Sequence, residues 1–227
     1  MEGPFPKDRL LAETEDTWIY DYVQGSDEWL SARKGGIGGS GICGIIGGSH
    51  YVTRLQAIAR LEYDPKITIT SAIARGSVGE SYVRDYLGKV LGIQYRECGI
   101  GVYKKAPWMR ASPDGLYDLP HGGTGILEIK IVSGWGRRAE VEAGIRSVIS
   151  GNGNVPGELG AMFEEHRHQV NYTAGVFGAR EITYAVLLWG TGSDQDSRLL
   201  VVRRFSPDQE LFQGMHTSVA MHARGGE

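Results

Sequence analysis

The residues from Ile182 to Trp189 form a near-continuous apolar run, and its unbroken part, Tyr184 to Trp189, is far short of the roughly 20 residues that cross a bilayer. A run of that length without polar alternation is the pattern of a strand buried on both faces. Such a strand needs apolar layers above and below it, so it predicts a central sheet covered by helices. Helical spacing over Glu158 to Phe177 precedes it, and Ile126 to Val132 reads as an earlier strand. Strand, helix, strand implies a right-handed parallel crossover. Arg198 to Phe205 adds a strand and Pro207 to Arg224 a terminal helix.

Upstream, Ser26 followed by Asp27, Glu28 and Trp29 reads as a capped helix start, because a hydroxyl and early acids suit the positive helix end. That helix should stop near Lys34. Gly35 to Gly48 reads as a loop containing Ser40 that enters a short helix, and residues 53–62 and 77–91 as core-packed helices. Four short extended runs, Tyr95 to Tyr103, Trp108 to Ser112, Leu116 to Asp118 and Ile126 to Val132, predict an antiparallel meander. The expected fold class is α/β or α+β, a mixed central β-sheet flanked by helices, as one domain over 1–227 with a mobile tail at each end.

Composition narrows the function classes. With 227 residues, 41% hydrophobic and 22% charged, the chain can fill a sizeable core. The 34 glycines follow no G-X-Y period, so a collagen-like chain is excluded. The first residues carry charges and prolines but no apolar signal core, so an intracellular protein without a membrane partner is expected. Cys43 and Cys98 are too few for a disulfide framework, a four-cysteine zinc site or an iron–sulfur cluster. A formal charge of −3 argues against a general polyanion binder, so any nucleic-acid role must come from local groups.

The densest chemical signal is Ser112-Pro113-Asp114-Gly115 followed by Ile126-Leu127-Glu128-Ile129-Lys130. On an extended strand Glu128 and Lys130 share one face while Leu127, Ile129 and Ile131 share the other. A hairpin through His121-Gly122-Gly123 can bring Asp114 beside that pair. Two neighbouring carboxylates repel, and a hard cation such as Mg2+ relieves the repulsion by taking oxygen ligands from both. Lys130 then orients or deprotonates a water for attack on phosphorus. Taken alone, Glu-x-Lys is commonly a solvent-facing pair on an edge strand. Pro113-Asp114, thirteen residues, then Glu128-Ile129-Lys130 resembles the PD-(D/E)xK nuclease signature.

Five ordered blocks extend that resemblance: Glu28 to Gly35, Gly39-Ser40, Arg75 to Glu80, Ala111 to Leu116 with Leu127 to Lys130, and Gln169 to Tyr172. Together they are similar to the phage lambda-type alkaline exonucleases, grouped with the YqaJ-like viral recombinases. The resemblance implies a restriction-endonuclease-like core and a Mg2+-dependent 5′-to-3′ exonuclease that digests one strand of linear double-stranded DNA. The product, a 3′ single-stranded overhang, would feed recombination by single-strand annealing. An endonuclease of the same fold, of restriction or junction-cutting type, is the alternative.

Residue by residue, the resemblance implies Asp114, Glu128 and the carbonyl of Ile129 as metal ligands. Two Mg2+ ions are implied, with Mn2+ as a substitute. Lys130 corresponds to the lysine that positions the attacking water, Glu80 to an acid near the metals, Gln169 to a helical glutamine beside the lysine, and Tyr172 to a helper on its helix face. Arg33, Ser40 and Ser112 correspond to groups holding a terminal 5′-phosphate, and Ile73 to a strand-separating wedge. Ser77-x-x-Glu80 also reads as a capping box, Ser40 as an N-cap, Arg33 as the basic end of a helix and Ile73 as core. Family partners implied are DNA ends, a homotrimeric ring and a single-strand annealing protein, in bacterial or phage-infected cytoplasm.

The chain also departs from the lambda-type pattern. Ile131-Val132 follows Lys130 in place of Cys-Pro, and Gly38 stands where the lambda enzyme has threonine. The 131–168 stretch is long, and Gly151 to Gly157 within it reads as a flexible loop. Lys104-Lys105 and Arg137-Arg138 are candidate DNA-backbone contacts. Glu164, Glu165, His166 and His168 read as a solvated helix surface.

Overall fold

The computed structural model describes residues 2–46, 53, 55–57, 71–133, 144–150, 158–189 and 197–224. Five helices are followed here: α1 (Asp27–Arg33), α2 (Gly39–Ile45), α3 (Ser71–Leu91), α4 (Glu158–Phe177) and α5 (Gln209–Arg224). Nine strands are described: β1 (Leu10–Glu13), β2 (Thr17–Tyr20), β3 (Ile100–Tyr103), β4 (Arg110–Ala111), β5 (Gly115–Asp118), β6 (Thr124–Ser133), β7 (Gly144–Ser150), β8 (Glu181–Trp189) and β9 (Ser197–Phe205). They form two sheets, β1-β2-β3-β4 and β5-β6-β8-β9-β7.

The larger sheet is mixed, as expected. β5 pairs antiparallel with β6, β6 parallel with β8, β8 antiparallel with β9, and β9 parallel with β7. Its central strand is buried on both faces. Ile182, Tyr184, Val186 and Leu188 join a core with Val170, Ala174 and Phe177 of α4 and with Phe212, Met215 and Val219 of α5. Ala185 and Leu187 face the other way, toward Val83 and Leu87 of α3. The period-two alternation thus sorts one strand between two cores.

Several expectations change. The antiparallel meander is divided between the two sheets, because β3 and β4 pair with the N-terminal strands and only β5 and β6 continue into the larger sheet. The Tyr95 to Tyr103 run shortens to β3, with Arg96 bridging Leu116, and Trp108 to Ser112 shortens to β4. The N-terminal segment is no tail: Trp18, Ile19 and Tyr20 are buried, and Tyr20 pairs with Ile100. Between β6 and α4 the chain contributes β7, a strand the sequence reading did not anticipate. Helical residues 55–57 are described within the expected 53–62 helix; residues 58–62, Arg137, Arg138 and Gly151 to Gly157 lie outside the described residues. Among the described residues no helix is long and apolar enough to cross a membrane.

The two sheets are tied through α4. Thr17, fully buried, donates its hydroxyl to the Val176 carbonyl at 2.5 Å, in the last turn of a helix whose terminal carbonyls have no intrahelical partner. Thr17→Val keeps the shape and leaves that carbonyl unpaired. The expected loss is about 1–3 kcal/mol, and a fall in melting temperature of about 2–4 °C per kcal/mol in a thermal scan checks it.

Candidate active site

β5 begins only at Gly115, opposite Leu127, whereas β6 runs on to Ser133. From Glu128 onward β6 therefore has an open edge on the β5 side. Asp114, the residue before β5, fills it: its Oδ2 accepts the Ile129 N–H at 2.6 Å. In an extended strand the N–H and C=O of one residue point to the same side, so the Ile129 carbonyl faces that edge too. The connector that carries Asp114 is held at each step. Ser112 donates to the Gly99 carbonyl at 2.5 Å and accepts Trp29 Nε1–H at 3.0 Å, and the Pro113 carbonyl accepts from Gln24 Nε2 at 3.0 Å.

Alternation along β6 sends Leu127 and Ile129 into the core beneath α3, so Glu128 and Lys130 face α4. There Lys130 Nζ donates to Glu128 Oε1 at 2.8 Å and Gln169 Nε2 donates to the same oxygen at 2.6 Å. The Glu128 side chain is 5% exposed and that of Lys130 23%. Glu80, on α3, joins them across the open edge. Asp114, Glu128, Lys130, Glu80 and Gln169 line one cavity of about 220 Å3, with Arg33, Ser40 and Ser112 also in its wall. A second cavity of about 230 Å3, lined by Arg84, Glu97 and Tyr22, meets the first at Gln24, Glu80 and Asp114.

Burial, followed by the charges of Glu128 and Glu80, pushes the Asp114 carboxyl well above the ordinary carboxylate range; Lys130 and the Ile129 N–H oppose this. Burial and then Glu128 likewise raise Glu80, against Lys130 and Arg84. Burial alone would lower Lys130, but the charges of Glu128 and Asp114, the hydrogen bond to Glu128 and the charge of Glu80 outweigh it, so the amine is held protonated above its usual range. Among the described residues no three His, Cys, Asp or Glu side chains converge as a ready-made metal cage. The donor chemistry nevertheless fits a hard divalent cation: the buried groups at the edge are carboxylate and carbonyl oxygens, and one oxygen each of Asp114 and Glu128 is engaged by the hydrogen bonds above.

In the wall of the same cavity, the Arg33 guanidinium lies 4.4 Å from the Trp29 ring centroid, beside the start of α2. Gly38 makes that approach possible, since a Cβ there would sit 2.9 Å from an Arg33 nitrogen. Gly39 does the same for Gln169, whose Cγ would be 2.8 Å from an added Cβ. Gly38 is also the N-cap of α2, so Ser40 is no cap: it lies exposed in the first turn. Ser112 lines the cavity, but its single hydroxyl proton is committed to Gly99, which leaves it poorly suited to donate to a phosphate.

Tyr172 does not join the group. It is fully buried and donates to the Ile37 carbonyl, pinning α4 to the segment before α2. Ile73 lies about two turns before Glu80 on α3, with its side chain outside the described residues. His166 and His168 are half-buried rather than solvated, and His166 bonds the Tyr184 hydroxyl at 2.8 Å. Lys104 and Lys105 pair with Glu13 and Asp16. The sequence reading missed Gln24, Arg84 and Arg110. Arg110 caps the end of α1 through the Ala32 and Lys34 carbonyls, a role visible only once β4 and α1 are side by side.

The profile of the YqaJ-like viral recombinase domain matches residues 28–180. Among solved structures, an alkaline exonuclease (LHK-Exo) from Laribacter hongkongensis is similar with a TM-score of 0.60 and 19% identity, over 86% of this chain and 90% of that one. A phage related exonuclease from Haemophilus somnus 129PT gives 0.52 and 12%, over 82% and 90%. The protein of a SOX–DNA complex gives 0.53 and 10%, over 83% and 64%. No curated protein matches by sequence. At these identities the structural likeness is one of fold, the restriction-endonuclease-like α/β plan expected from the sequence.

The raised Asp114 carboxyl makes a stability prediction. A carboxyl that holds its proton more tightly when folded than when unfolded stabilises the fold at low pH, and that contribution is lost as pH rises above the unfolded value. Asp114→Asn keeps an acceptor for the Ile129 N–H and removes the charge. In metal-free buffer at neutral pH this variant should melt higher than the parent, by about 2–4 °C for each kcal/mol gained. The advantage should vanish below about pH 4, where the carboxyl is protonated in both states. An unchanged or lower melting point at pH 7 would contradict it.

Proposed function

The chain belongs to the YqaJ-like viral recombinase family, and from that premise we propose that it is a Mg2+-dependent 5′-to-3′ exonuclease of linear double-stranded DNA. Its product is a 3′ single-stranded overhang, and its partners are a single-strand annealing protein and two further copies of itself in a closed ring. The observation that carries the reading is one cavity whose wall holds both an acid–lysine cluster and the Arg33 guanidinium.

In this reading Asp114, Glu128 and the Ile129 carbonyl hold the cation, with Glu80 beside them. A bound Mg2+ supplies activation of water and stabilisation of the leaving oxyanion. Lys130, held as an ammonium by its acidic neighbours, orients the attacking water by donating a hydrogen bond rather than by taking its proton. Gln169 fixes the Glu128 carboxylate through Oε1. Arg33 receives the terminal 5′-phosphate, where a guanidinium fork gives a charge-assisted contact, and its stacking on Trp29 holds the fork in place. Position 73 serves as the wedge that parts the end base pairs.

End-labelled linear duplex with Mg2+ is the direct test. Asp114→Ala and Glu128→Ala should abolish release of nucleotides while the folded far-UV spectrum is retained, and closed circular duplex should resist the parent protein. Cleavage of the circle would replace the exonuclease by an endonuclease of the same fold.

Arg33→Ala should slow digestion of 5′-phosphorylated ends by about 10- to 100-fold, the worth of one charge-assisted hydrogen bond, and change hydroxyl ends far less. Equal slowing of both ends would make Arg33 a general backbone contact.

A further inference from the structure

Arg84 lies one helical turn after Glu80 on α3, so the two side chains share a helix face. Its Nη1 donates to the main-chain carbonyl of Asp114 at 3.0 Å, and the same nitrogen stands 2.7 Å from Glu97 Oε1. The Arg84 side chain is 14% exposed, whereas that of Glu97 is 74% exposed. An ion pair to so exposed a partner adds little stability by itself. The enclosed contact is the one to Asp114.

Asp114 is therefore gripped from two sides. Its carboxylate is bound to the Ile129 N–H of β6, and its carbonyl to a guanidinium rooted on the helix that carries Glu80. Main chain and side chain of one residue thus join β6 to α3, at the meeting point of the two cavities. We propose that Arg84 is a positioning residue for the divalent cation, locking Asp114 and Glu80 in one spacing through its bond to the Asp114 carbonyl. This rests on the reading of Asp114 and Glu128 as ligands of Mg2+. Residues that orient ligands without touching the metal change its affinity by about 10- to 100-fold when removed.

The test is titration of Mg2+ into the full chain by calorimetry, with melting temperature in EDTA as the control for folding. Arg84→Met, which keeps the packed stem and loses the donors, should bind Mg2+ about 10- to 100-fold more weakly and melt within about 2 °C of the parent. In steady-state cleavage it should need more Mg2+ for half-maximal rate while recovering most of the rate at saturating metal. Unchanged Mg2+ affinity would overturn the proposal and leave Arg84 a structural anchor. If Arg84→Met melts much lower, the Mg2+ titration is repeated well below its melting temperature, where the variant is folded: weakened Mg2+ binding supports the assignment and parental binding refutes it. A parent protein that neither binds Mg2+ nor cleaves with it removes the metal reading itself, an outcome separate from the failure of Arg84 alone.

Discussion

The bond from the Asp114 carboxylate to the Ile129 N–H is the constraint on which the site depends. It occupies the place where another residue of β5 would have paired with β6, so a sheet edge is completed by a side chain instead of a strand. That substitution brings an acid to the edge where Glu128 and Lys130 turn toward α4 and Glu80 approaches from α3. Had β5 continued by two residues, the backbone ladder would have closed the edge. The cost is electrostatic, since three carboxyls stand near one another under burial, and Lys130 offsets only part of it.

How far the arrangement was legible depended on whether the information was local. The alternation in Ile126 to Val132 placed Glu128 and Lys130 on one face because period two is intrinsic to an extended chain. The Ile182 to Trp189 run was equally plain, because a strand buried on both faces is apolar at nearly every position, Thr183 being the exception. The Ser26 cap also followed from local chemistry, and its hydroxyl accepts the Trp29 N–H. Hidden were the pairings. Leu10–Glu13 is short and largely exposed, and Thr17–Tyr20, although β-branched and aromatic like a strand, is only four residues long with its partner β3 some eighty residues away. Four successive extended runs look like one meander, yet the connector Ser112-Pro113-Asp114 passes from one sheet to the other. β7 reaches its place by pairing with β9, more than forty residues later in the chain.

Side-chain roles divided in the same way. Gln169 is recognisable only as a polar residue on a helix, and its bond to Glu128 requires α4 to lie over β6 and Gly39 to make room. Tyr172, three residues on, looks like its companion by helical spacing, but the helix rotates it into the core against Ile37. Ser112 has the chemistry to hold an anion and spends it on Gly99. Donor type could be read from the sequence, whereas the partner that consumes the donor could not.

The opposed faces of β6 carry one more consequence, for the chain's tolerance of length change. Glu128 and Lys130 occupy the positions that alternate with Leu127 and Ile129, and β6 is paired in parallel register with β8 from Gly125 to Ser133. Deleting one residue between Thr124 and Glu128 would exchange the two rows, driving a carboxylate and an ammonium toward Val83 and Leu87 and turning leucine and isoleucine toward α4. Core and chemistry would fail in one step. A strand built this way admits substitutions singly but no length change by an odd number of residues, so the parity of its length is guarded by folding itself.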